Sequence, residues 1–165
     1  MRLVILSLFL AVSLVPVRMQ AEDKNGLRLL VTKKTLDRAD GKPGYTREID
    51  RTMALKATFK NISTKDLAEG KVECEILVRR WALSETGTTE RYKKEIKLDP
   101  LKTSQELDLL VGEYHIGGHM HGSADYHVDQ VVAWKLTIEH AGKRTEFLSS
   151  GKFEQENKRA TDAAS

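Results

Sequence analysis

Residues 52–78 carry the feature that most restricts the fold: two segments in which apolar and polar side chains alternate one for one. In the first, Met53, Leu55, Ala57 and Phe59 alternate with Lys56, Thr58 and Lys60. In the second, Val72, Cys74, Ile76 and Val78 alternate with Glu73, Glu75 and Arg79. Successive side chains of a strand point to opposite faces, so each segment predicts a strand with one face in a core and one in water. The polar residues 61–66 between them predict a turn, and two such strands in succession predict the centre of an antiparallel sandwich.

The same pattern recurs along the chain. Leu27, Leu29 and Val31 mark an earlier strand, and Asp40, Gly41, Pro43 and Gly44 mark a loop. Residues 45–50 read as a short extended lead into the first alternating segment. Residues 91–98 place Tyr92, Ile96 and Leu98 on one face, interrupted by Lys94; an inward-pointing lysine is a mark of an edge strand. Leu107 and Leu109 mark a strand over 104–110. Val132, Trp134, Leu136 and Ile138 lead through a turn at residues 140–143 to a returning strand with Phe147. Residues 152–165 read as a polar C-terminal tail or short helix. The sum is an all-β chain, an immunoglobulin- or fibronectin-like antiparallel β-sandwich of about seven to eight strands.

Residues 1–21 stand apart. Arg2 precedes an apolar run that ends near Arg18, Met19, Gln20 and Ala21, the layout of an export signal with a small residue at the cleavage point. The run is roughly 15 residues, short of the roughly 20 that span a bilayer as a helix. The expected product is one domain over 22–151 followed by the tail, exported to the periplasm, the outer surface or the medium, with no membrane span once the signal is cleaved. Arg2 and Arg18 would leave with the signal, so most of the formal charge of +3 leaves too. No block of basic residues interleaved with aromatics remains, which argues against nucleic acid as a partner. Lys33-Lys34, Arg79-Arg80 and Lys93-Lys94 read as solvated strand faces. Cys74, the single cysteine, permits no internal disulfide and lies on the apolar side of its strand, as a small core residue would.

The order of these features resembles small exported immunoglobulin-like proteins of Gram-negative envelopes. It comprises a signal, a strand, a long loop, Phe59-x-Asn61-x-Ser63 closing a strand, then a tryptophan-bearing hairpin. Some members of that group are encoded with type IV pilus components. The resemblance covers most of the chain after the signal and implies an interaction or structural role outside the cytoplasm, with protein partners in the envelope or self-association. It implies no catalytic residue. The pairing of a core tryptophan with a bridging disulfide, found in antibody domains, is absent, which leaves only the general sandwich.

One segment has ligand chemistry. His115, His119, His121 and His127 fall within residues 113–129, with Asp125 and Asp129 among them. Neutral imidazoles suit zinc or copper, and His115, His119, His121 and His127 with Asp125 form a candidate ligand set. Gly117, Gly118 and Gly122 read as a flexible connection, whose solvated histidines are the competing explanation. Asn61-Ile62-Ser63 also matches a glycan acceptor. No nucleophile-elbow, metalloprotease or phosphate-loop motif occurs, so the expectation is a non-enzyme with no required cofactor. The leading expectation is an envelope interaction module, and the alternative is a metal-binding protein using residues 115–127.

Overall fold

A computed structural model describes residues 22–42, 46–81, 87–121 and 125–163; the side chains of His121, Asp125 and Tyr126 lie outside the described set, as does the expected signal. Ten strands and one short helix follow in order. They are β1 (Glu22–Lys24), β2 (Leu27–Arg38), β3 (Thr46–Asn61), β4 (Gly70–Arg79), β5 (Thr89–Leu98), β6 (Glu106–His121), β7 (Asp125–Val128), β8 (Gln130–His140), β9 (Lys143–Leu148), α1 (Phe153–Asn157) and β10 (Ala160–Asp162).

The strands form two five-stranded sheets. Sheet one has the order β1-β2-β3-β6-β7, and sheet two has β10-β5-β4-β8-β9. Every pairing is antiparallel except that of β10 with β5. The set β2, β3, β6 facing β5, β4, β8, β9 is an immunoglobulin-type arrangement, with the strand that follows β4 joining the second sheet. The all-β sandwich expected from alternation is therefore what the chain forms. It has ten described strands where seven or eight were expected, because β1, β7 and β10 are three or four residues long and carry too little pattern to see.

The core lies between the sheets. Leu27, Leu29, Val31, Leu55, Ala57 and Phe59 of sheet one meet Val72, Cys74, Ile76, Trp134, Leu136 and Phe147 of sheet two, each no more than 5 % exposed. Burying one such aliphatic or aromatic side chain contributes about 1.5–3 kcal/mol. Cys74 is buried and free, and desolvation pushes its thiol up to about 12, which keeps it protonated and inert. Lys94, opposite Cys74 on β5, reaches across to Glu113 of β6 at 2.8 Å, so the inward lysine of the near-edge strand ties the two sheets together.

The two central strands of sheet one are longer than the pattern suggests. Residues 45–50 were expected as a separate lead-in, yet 46–61 is one strand. Residues 113–121 were expected as flexible connection, yet they complete β6. The glycines serve close approach instead of flexibility. A bulge in β6 turns both Val111 and Gly112 inward, and a Cβ on Gly112 would lie 2.6 Å from Ile76 Cδ1 and 2.9 Å from Cys74 Sγ. Gly118, at φ 141°, lets β7 pair directly, since a Cβ there would sit 2.2 Å from the His127 carbonyl oxygen.

Two polar residues finish the frame. Asn61 is fully buried at the end of β3; its Nδ2 donates to the carbonyls of Lys65 (2.8 Å) and Leu101 (3.0 Å), and its Oδ1 accepts from Ser63 N–H (2.9 Å) and Oγ (2.7 Å). The amide a glycan would need is thus committed to the turn. The β8–β9 connection runs through Ala141 (φ 47°) and Gly142 (φ 70°), the two positive dihedrals of a type I′ hairpin.

The C-terminal segment is part of the fold. Phe153 of α1 is fully buried with Leu77 and Ala133 in a second cluster on the outer face of sheet two, and Lys135 Nζ lies 4.9 Å from its ring centre. A single aromatic anchor with no repeating stripe explains why the sequence reads as a tail. Phe153→Ala should lower unfolding free energy by about 3–5 kcal/mol. In urea titrations the loss should come with earlier proteolysis after residue 150.

Candidate interaction surface

Sheet one outruns sheet two. β3 and β6 have 16 residues each and β2 has 12, whereas β4 and β5 have 10. Core positions of β2 end at Val31, and residues 33–38 are all exposed. The far ends of β2, β3 and β6, with β7, therefore form an arm, and two charged hubs hold it.

The first hub is Asp40. Its carboxylate accepts from Arg38 Nε (2.6 Å), Arg47 Nη2 (2.8 Å), and Arg51 Nη2 (2.6 Å) and Nε (2.9 Å). Arginine side chains and not the core cover it, leaving 3 % of the side chain exposed. The Arg51 hydrogen bonds, opposed by desolvation and joined by Arg38, hold its carboxyl well below the usual carboxylate range. Backbone bonds from Ala39 N–H to Asp50 O and from Gly41 N–H to Glu48 O close the β2–β3 connection above it.

The second hub is Arg80, just after β4. Its guanidinium donates to Asp129 Oδ2 (2.6 Å), the His115 carbonyl (3.0 Å), Glu90 Oε2 (2.5 Å) and the Tyr92 hydroxyl. Asp129 also accepts from Trp81 N–H (2.8 Å) and Gly117 N–H (2.9 Å). One side chain thus binds the root of the arm to sheet two. Sequence reasoning read Arg79-Arg80 as a solvated face; Arg79 is exposed, but Arg80 is only 22 % exposed and fully engaged. Its position beside Trp81 at the end of an apolar strand was the available signal.

The histidines line the arm. His115 Nε2 and Asp50 Oδ1 are 2.7 Å apart, with both side chains about half exposed. In register, His119 lies opposite Glu48 of β3 and opposite His127 of β7, and His121 lies opposite Asp125. Directly paired residues share one face of a sheet, so the ladder brings His119 and His127 together. Trp81 packs on both, its ring centre 4.6 Å from that of His127 and 6.3 Å from that of His119. Sequence reasoning missed this tryptophan. Among the described residues no three histidine, cysteine or carboxylate groups converge as a metal site. For His121 and Asp125 the backbone register alone is described.

The outer edge of β2 is open. β1 pairs only with Leu27, Arg28 and Leu29, so among the described residues no strand covers the outer side of residues 30–38. Lys33, Lys34 and Leu36, the last an apolar residue 39 % exposed, flank that edge on the two faces of the strand. Lysines on an open edge discourage indiscriminate strand addition.

No family model matches the chain, and no curated protein matches it. Among solved structures, one of a protein from Akkermansia muciniphila shares 12% identity at a TM-score of 0.42, over 88% of this chain and 85% of that one. Another, the X-ray structure of Northeast Structural Genomics Consortium target SoR45, shares 10% identity at a TM-score of 0.30, over 75% of this chain and 82% of that one.

Because Asp40 is more acidic folded than unfolded, its contribution is fully present above the unfolded value of about 3.9 and is lost as pH falls through the folded value. Asp40→Asn should therefore destabilise the arm at neutral pH and remove that part of the acid dependence. Amide exchange of residues 46–51, followed from neutral pH into acid, reads both effects.

Proposed function

We propose that this chain is a non-catalytic interaction module of the cell envelope, exported by its N-terminal segment and bound to protein partners or to copies of itself through the arm of sheet one. The observation that carries the reading is the open edge of β2: residues 30–38 pair with β3 on one side, and their backbone donors and acceptors that point away from β3 have no strand partner among the described residues. Such an edge can take an added strand, with backbone bonds supplying affinity and flanking side chains supplying selection. The resemblance to exported immunoglobulin-like proteins encoded with type IV pilus components supports placing the partner on a surface appendage or its assembly machinery.

A second reading uses the histidines. The register that sets His119 opposite His127 and His121 opposite Asp125 favours a zinc- or copper-binding protein, with His115 on the same strand. The metal would be held by imidazoles from two adjacent strands. Zinc and copper titrations of residues 22–165 decide it: one equivalent bound and lost in a His119→Ala, His121→Ala double variant supports the site, and absence of binding rejects it.

For the interaction reading, a photo-crosslinker placed at Lys34 should capture one defined envelope protein, or a second copy of the chain, in intact cells. The same group at Lys152, exposed near α1, should not. Equal, diffuse crosslinking at both positions, together with a concentration-independent monomer mass, would reject the β2 edge as an interface.

A further inference from the structure

On the outer face of sheet two, the C-terminal segment roofs a cleft of about 600 Å³ between the end of β4 and the start of β5. That volume falls within the ~300–1,000 Å³ typical of small-molecule sites. Its walls include Arg79, Thr88, Thr89, Glu156, Arg159 and Thr161, with no apolar side chain among them. The polar and charged tips of these side chains offer a polar ligand mostly donors.

The pairing scheme shows how the cleft is built. Arg79 lies opposite Thr89 across β4 and β5, and Thr89 lies opposite Ala160 of β10, so one cross-strand row forms the floor. At its lip, a Cβ on Gly87 would sit 2.2 Å from the Arg80 carbonyl oxygen, so the chain there passes closer to β4 than any side chain allows. Among the described residues one carboxylate lies in the wall, and it is already occupied: Arg79 Nη2 and Glu156 Oε2 are 2.8 Å apart, and Glu156 is 14 % exposed. Two donors are left over. Arg159 is exposed and makes no ion pair among the described residues. Thr89 is 5 % exposed, and its hydroxyl has no hydrogen-bond partner among the described residues.

We propose that this cleft binds a small polar anion, whose carboxylate or phosphate group is held by the Arg159 guanidinium and the Thr89 hydroxyl. A guanidinium and an adjacent hydroxyl offer the fork of donors that such oxyanions accept. The cleft is far larger than one such group, so the ligand carries a polar body as well, with Thr88 and Thr161 hydroxyls in reach of it. The ligand also bridges β5 to the segment after α1, and its binding stabilises the docked C-terminus.

Calorimetric titration of residues 22–165 with inorganic phosphate and with citrate, at fixed ionic strength, tests the assignment. One probe should bind at one equivalent with Kd of about 1 mM or tighter, and Arg159→Gln and Thr89→Val should each weaken it by roughly tenfold or more. Lys158→Gln, which removes a neighbouring exposed cation, should leave binding unchanged. Preference for phosphate or for citrate identifies the ligand's acidic group. The proposal is overturned if neither probe saturates, or if Lys158→Gln weakens binding as much as Arg159→Gln. Should Thr89→Val fail to fold, the comparison of the two exposed-cation variants still decides.

Discussion

The antiparallel ladder between β3 and β6 is the interaction on which the rest of this molecule depends. It runs from Lys60 opposite Glu106 to Thr46 opposite His121, with a single interruption at Val111. The lower half supplies sheet one's share of the core, through Phe59, Ala57 and Leu55. The upper half continues past sheet two and becomes the arm. One continuous pairing thus places a packed base and a solvated extension on the same two strands, and the bulge sits where one gives way to the other. Gly112 marks the junction, since the sheets approach there to a distance that excludes a side chain.

Charge does in the arm what apolar packing does in the base. Asp40 gathers three arginines from β2 and β3, and Arg80 gathers groups from β5, β6 and the β7–β8 junction. Exposed single ion pairs contribute little, but networks with several partners around a nearly covered carboxylate contribute more. The consequence is an extension, with Ile49 buried in it, that these networks brace beyond the inter-sheet core while the β2 edge stays uncovered. The histidine ladder and Trp81 lie on this extension, so both proposed roles of the surface share one mechanical support.

The C-terminal segment makes a different use of the same sheet-two framework. Phe153 seals the small cluster on the outer face, and the chain then returns as β10 along β5. The polar cleft exists because that return leaves a space between two strands and a helix that apolar residues do not fill. Docking of a short terminal element thereby completes a cleft that β4 and β5 do not enclose alone.

The sequence by itself determined the class of fold and most of the core. Alternation in residues 53–59, 72–78 and 134–138 named most of the side chains that face the main core, because the two-residue period of a strand is a local property that needs no partner to be legible; Met53 is only partly buried, and a bulge in β8 turns Val131 to the main core and Val132 to the outer cluster. Asn61 at the strand end and Gly142 in the last turn were legible for the same local reason. The tertiary structure decided the rest. Gly118 means flexibility in a sequence window and close strand approach in the ladder, a difference set by β7 and not by its neighbours in the chain. Arg80 looks solvated until Asp129, 49 residues later, is folded against it. Phe153 looks isolated until Leu77 and Ala133 supply its pocket. Whether His119 and His127 stand together is likewise a matter of register, which is fixed by long-range pairing and leaves no periodic trace in the sequence.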